Sequence, residues 1–216
     1  MITASSIALG LYCALSVIEF FQTEHSGRSR FVKTLLMPVL TAFYLLAARQ
    51  FGRPVFPLAV LALVFGWAGD VLLLGKGDGF FLSGLVSFLL GHVFYGILFV
   101  TQITGGKVFW PVWLVIAAYL AYAACVYRYL IPHVGRPMRI PVTTYLVIIL
   151  LMNMTALLRA GSVSLTSSVL VSAGAFLFMI SDSILSFKIF CEKKGRGVME
   201  TYTAAQLLIV CGLLFV

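Results

Sequence analysis

The sequence predicts an all-α, polytopic integral membrane protein of eight transmembrane helices, and three observations carry that prediction. The 216 residues are 62% hydrophobic and only 10% charged, with a mean hydropathy of +1.08. The apolar residues fall in runs close to the ~20 residues a helix needs to cross the hydrocarbon core. The 15 Lys and Arg sit almost entirely between those runs. A soluble domain of this size needs a polar surface that this composition does not supply. Eight spans of about 20 residues leave only short loops, so one membrane domain over 1–216 is expected.

Taken in order, the spans are 3–21, 32–48, 55–74, 79–100, 109–130, 140–158, 166–188 and 199–216. The first lacks a basic leading region and an A-x-A site, so it reads as a span and not a removable signal. Gly27 precedes the second, and Gly52–Pro54 separates the second from the third. The GKGDG run (75–79) mimics a phosphate loop but lacks the GKS/T ending and a preceding strand, so it is the tight turn between spans 3 and 4. Gly105–Gly106, Pro132–Pro137, Gly161 and Gly195–Gly197 mark the remaining connections.

Basic residues orient the spans. The odd connections carry Arg28, Arg30, Lys33, Lys76, Arg128, Arg136, Arg139, Lys188, Lys193, Lys194 and Arg196; the even ones carry Arg49, Arg53, Lys107 and Arg159. That bias places the odd loops in the cytoplasm and both termini outside. GWAGDVLLL (66–74) and FMISDSILS (178–186) match in form at an offset of 112 residues. This predicts two parallel four-span halves related by an axis along the membrane normal.

With that orientation, Glu19, Asp70 and Asp182 fall near the inner ends of spans 1, 3 and 7, one to two turns from the cytoplasmic interface. Lys33, Tyr202 and Gln206 approach the same layer from the starts of spans 2 and 8. An acid at a helix centre costs about 2.5–3.5 kcal/mol on insertion scales, so a functional site is the default reading of such residues. The competing reading is internal glue, with the acids paired to Lys33, Lys188 or tyrosine hydroxyls. Polar stripes accompany the acids: Tyr12, Ser16, Glu19 and Thr23 on span 1, and Ser83, Ser87, Gly91 and Tyr95 on span 4. Gly66, Gly69 and Asp70 share a face of span 3; Gly174, Ser181, Asp182 and Ser186 lie close on span 7. For the Ser and Gly members, helix–helix packing is the simpler use. His92, two to three turns deeper than the acids, suits a hydrogen-bonding support, a ligand contact or an acid–base group. His25 and His133 lie in loops.

Other chemistries find little support. The net charge of +8 is a topology signal and forms no basic reading face, so nucleic acid is not a partner. Cys13, Cys125, Cys191 and Cys211 contain no CxxC pair, so neither a disulfide framework nor a zinc cluster is indicated. One intramembrane histidine does not make a three-ligand zinc site unless both aspartates join it. No GxSxG elbow occurs.

In order along the chain come VKTLLMP (32–38), GWAGDVLLL (66–74), FLLGHVFYGILF (88–99), Tyr145 and Met152, GAFLFMISDSIL (174–185), and Tyr202 with Ala205–Gln206. Together these resemble the YhhN family, whose animal members are the TMEM86 lysoplasmalogenases. Thr34 is a departure, since the family often has Pro after the lysine. The resemblance implies hydrolysis of the vinyl-ether bond of a lysoplasmalogen, giving a fatty aldehyde and glycerophosphocholine or glycerophosphoethanolamine. Protonating the vinyl carbon and letting water attack the resulting cation calls for one protonated carboxyl and one carboxylate. Asp70 and Asp182 are the candidates for those roles. Lys33 is a candidate phosphate contact, and Glu19, His92, Tyr95, Tyr145, Ser181, Tyr202 and Gln206 complete the expected substrate-binding set. No metal and no organic cofactor are expected, and the site is expected toward the cytoplasmic side. A small proton-coupled transporter of a lipid or amphiphile is the alternative, and a metal-dependent amidase of the ceramidase type is a third reading.

Overall fold

A computed structural model describes residues 3–21, 27–105, 107–193 and 197–216. Thr23, His25, Gly106, Lys194, Gly195 and Arg196, and the side chains of Gly27, Arg28 and Arg30, lie outside the described residues. Eight α-helices occur in order, with no β-strand among the described residues: α1 (Ala4–Phe21), α2 (Gly27–Gln50), α3 (Pro57–Leu72), α4 (Asp78–Thr101), α5 (Pro111–Leu130), α6 (Arg139–Leu158), α7 (Leu165–Phe190) and α8 (Val198–Leu213). Six of them are long and apolar enough to cross a membrane; α3 and α8 are shorter apolar helices. The chain is a multi-pass integral membrane protein.

Helix boundaries follow local chemistry. Pro57 opens α3, where its fixed φ suits the first turn and its missing N–H is not needed. The third apolar run therefore gives a helix shorter than its hydropathy predicts, since Phe56 stays extended ahead of the proline and the end passes into a turn. That turn reaches Gly77 at φ 103°, a conformation glycine adopts without a Cβ clash. Pro111 opens α5 likewise. Ser164 caps α7, its side chain accepting the Ser167 N–H. Through Thr34, α2 continues without a break: the Thr34 hydroxyl donates to the Phe31 carbonyl at 2.8 Å, and the Thr34 carbonyl accepts Trp67 Nε1–H at 2.9 Å.

The chain divides into two compact units, residues 1–98 with 213–216, and residues 99–212. In unit 1, α2 packs against both α1 and α3, and the Ser87 hydroxyl of α4 donates to the Phe65 carbonyl of α3 at 2.6 Å. Leu36, Met37, Leu40, Tyr44 and Leu63 are fully buried there. In unit 2, α6 packs against α5 and α7, with Ile149, Met152, Val171, Ala175, Met179 and Ile209 at its centre. Outward-facing positions stay apolar, with Ile7, Leu11 and Phe21 exposed on α1 and Trp113 and Leu114 on α5. In water such a surface would drive aggregation; in hydrocarbon it is the expected exterior.

Candidate functional site

Unit 1 gathers one polar side chain from each of its helices. Asp70 on α3 is 8% exposed and acts electrostatically on the Tyr12 hydroxyl of α1. Tyr95 on α4 lies within the same electrostatic reach of Tyr12, and Tyr44 on α2 within reach of Tyr95. The Tyr44 hydroxyl in turn accepts the Phe56 N–H at 3.0 Å, satisfying a donor that α3 leaves free at its start. Tyr12, Tyr44 and Tyr95 are all buried. Phenols carry their hydroxyls on rigid rings with two torsions, so they deliver polar atoms into a membrane interior at small entropic cost.

Glu19 and Lys33 form a separate arrangement nearer the end of α1. Their Oε1 and Nζ atoms lie 3.4 Å apart, and Glu19 is largely buried. The ion pair gives the Lys33 ammonium a protein partner, which is the internal-glue reading for Glu19. On α4, Ser87, Gly91, His92 and Tyr95 are buried, whereas Ser83 is exposed and leaves the predicted stripe at its outer turn. His92 is 1% exposed and lies one helical turn beyond Phe88 on the same helix.

Unit 2 organises the other aspartate. The Tyr145 hydroxyl of α6 donates to Asp182 Oδ2 of α7 at 2.7 Å, which orients the carboxyl group against its neighbouring helix. Ser181, buried beside it, donates to the Val198 carbonyl at 2.8 Å and pins the start of α8 at this level. One turn deeper, the Tyr202 ring meets Phe178 edge-on with centroids 5.3 Å apart, and Gln206 is 1% exposed. Gly174 explains how α8 comes so close. A Cβ there would sit 2.7 Å from the Ala205 carbonyl oxygen and 2.9 Å from the Ile209 nitrogen, both backbone atoms that cannot turn aside.

Asp70 therefore lies among the phenols of unit 1, and Asp182 lies against Tyr145 in unit 2. No group of three His, Cys, Asp or Glu suited to a metal ion occurs among the described residues. Beyond the end of α7, Lys193 lies 4.6 Å from the Tyr129 ring centre and 6.0 Å from that of Phe187. Hydrogen bonding to Tyr129 raises its ammonium pKa above the usual lysine value. Along the sequence Lys193 is only a loop charge, and Tyr44 belongs to none of the motifs or polar stripes. A signal for Tyr44 exists: a tyrosine between aliphatic residues in the middle of an apolar run, away from the interfaces where tyrosine normally gathers.

The family model described as "YhhN family" matches residues 29–213. The chain is similar to "Lysoplasmalogenase TMEM86A" of Bos taurus, 27% identical over 207 residues, which is 91% of this chain and 82% of the relative. It is 28% identical to the Homo sapiens protein of the same name over the same shares. No solved structure gives a match.

Proposed function

This chain belongs to the YhhN family, and from that membership we propose that it is an intramembrane hydrolase that cleaves the vinyl-ether bond of lysoplasmalogens. Two of its relatives carry the name lysoplasmalogenase. The observation that carries the reading at residue level is the hydrogen bond from Tyr145 to Asp182, which holds a carboxylate in a fixed orientation within apolar helices.

The chemistry needs a proton delivered to carbon and a water made nucleophilic. A carboxylic acid protonates the vinyl carbon remote from oxygen, and positive charge develops on the carbon bonded to it. Water adds there while a second carboxylate takes the proton released. The hemiacetal then collapses as the first carboxyl takes back the proton of its hydroxyl and the second gives its proton to the departing glycerol oxygen. One water is consumed, an aldehyde and the glycerol hydroxyl are released, and both carboxyl groups return to their starting states. General acid and base steps of this kind each contribute about 10²–10⁴-fold. In the proposal Asp70 and Asp182 supply the two carboxyl groups. One of the two serves as the acid and the other as the carboxylate that attends the water and the cation.

The lysolipid suits this location. Its phosphate belongs at the basic interface, where Lys33 sits beside Glu19, and its tail among the aromatic helices. His92 and Tyr95 of unit 1, and Ser181, Tyr202 and Gln206 of unit 2, are proposed substrate contacts. The proposed topology has eight spans in two parallel four-span halves, both termini outside, and the site toward the cytoplasm.

Purified protein in detergent, supplied with lysoplasmalogen, should release fatty aldehyde. Asp70→Asn and Asp182→Asn should each lower turnover by about 10²–10⁴-fold while helical content and elution volume stay unchanged. Activity near wild type in both variants would sink the two-carboxylate mechanism. No aldehyde from the wild-type protein, together with substrate flux into proteoliposomes, would replace the hydrolase with a carrier.

A further inference from the structure

Where α6 turns into α7, unit 2 encloses a cation that its own described residues do not neutralise. Arg159 begins the turn Arg159–Gly161, and its side chain is 0% exposed. The guanidinium lies 5.4 Å from the centre of the Phe99 ring, and Nη2 donates to Ser167 Oγ in the first turn of α7. Nε and Nη1, which carry three of the five guanidinium N–H groups, have no hydrogen-bond partner. No described carboxylate lies within ion-pair distance of them. Gln102, three residues after Phe99, is also buried, and both its Oε1 and Nε2 lack partners. The Thr104 N–H donates to Ser162 Oγ at 3.0 Å and ties the end of α4 to the same connection.

A guanidinium does not shed its proton at ordinary pH, so burial leaves it charged. An unpaired buried charge is among the most unfavourable features a fold can carry. Water would satisfy the N–H groups but would leave the charge without a counterion. An oxyanion answers both needs, because it brings negative charge and several acceptor oxygens. The 26-residue helix α7 begins here, and its N-terminal end adds positive potential directed at the same place. The buried Gln102 amide offers a further donor. We propose that Arg159, Gln102 and Ser167, at the N-terminal end of α7, form an oxyanion site that takes a phosphate group, borne by a phospholipid head group or free in solution.

This site is separate from the proposed hydrolytic one. Asp182 lies 15 residues beyond Ser167 on α7, about 22 Å along the helix at 1.5 Å per residue. Phosphate bound at Arg159 would therefore lock the α6–α7 connection, and lysolipid turnover does not enter its test.

The test uses the purified, delipidated full-length protein in detergent at constant ionic strength. Thermal unfolding is followed against inorganic phosphate in one arm and phosphatidylglycerol in the other. At about 100 times Kd, the ligand should raise the wild-type midpoint by about 5 °C or more, and Arg159→Gln should lose that response. A saturable response to inorganic phosphate assigns a free oxyanion, and a response to phosphatidylglycerol alone assigns a lipid head group. Should Arg159→Gln fail to fold, Gln102→Leu should weaken binding by about tenfold. Native mass spectrometry of the wild type, which needs no variant, should show one phosphate or one lipid retained per chain. A wild-type midpoint indifferent to both ligands with no retained mass overturns the proposal. An equal response in Arg159→Gln also overturns it, because phosphate strengthens burial in proteins generally without any such site.

Discussion

Glu19 in unit 1 and Asp182 in unit 2 are both carboxylates set into apolar helices, yet they have opposite kinds of partner. Glu19 faces the Lys33 ammonium at 3.4 Å, and Asp182 receives the neutral Tyr145 hydroxyl at 2.7 Å. An ammonium neutralises the acid and commits it to one charge state, which is what a structural tie between α1 and α2 needs. A phenol orients the acid and brings no charge of its own. Two acids that look equivalent along the chain are thus separated in use by what lies across from them.

Several substitutions would break or sharpen that contrast, and the largest effect belongs to Asp182. Asp182→Asn should lower aldehyde release by about 10²–10⁴-fold, whereas Glu19→Gln should leave turnover within about tenfold; a reversal of that order would assign the chemistry to the wrong acid. Next comes the scaffold behind Asp182. Gly174→Ala places a methyl group against the α8 backbone and should destabilise the protein by about 1–3 kcal/mol, read as a lower unfolding midpoint. Tyr145→Phe removes one hydrogen bond to Asp182 and should slow turnover by about tenfold with the fold intact; unchanged kinetics would reduce Tyr145 to packing. The smallest effect is expected from the Glu19–Lys33 pair. A double-mutant cycle with Glu19→Gln and Lys33→Met should give a coupling of about 1 kcal/mol, and a large coupling in activity instead would move this pair into the reaction.

Much of the architecture is legible in the chain because a bilayer imposes simple rules. Backbone groups in hydrocarbon must bond within their own segment, so apolar runs become helices, and Gly and Pro set their ends within a few residues. The same rules say little about which polar side chains meet. Asp182 stands out because an ionisable residue inside an apolar run is conspicuous. Tyr145 enters the sequence reading only through the family resemblance, and its role as the aspartate's donor depends on the registry of α6 against α7. Arg159 passes as an ordinary loop cation, because burial at a helix connection leaves no trace in hydropathy. Ser83 errs the other way, since spacing by four residues extends a stripe past the point where a neighbouring helix covers it.

Taken alone, the amino-acid order determined that this is a helical membrane protein and that acids lie within its helices, because each of those properties depends on residues close together in the chain. Tertiary structure alone decided that Glu19 is tied to a lysine, that Asp182 is held by a phenol and that Arg159 is sealed away from solvent. Those facts depend on how helices rotate and pack against one another, and that is set by the sum of many small contacts between residues far apart in the chain.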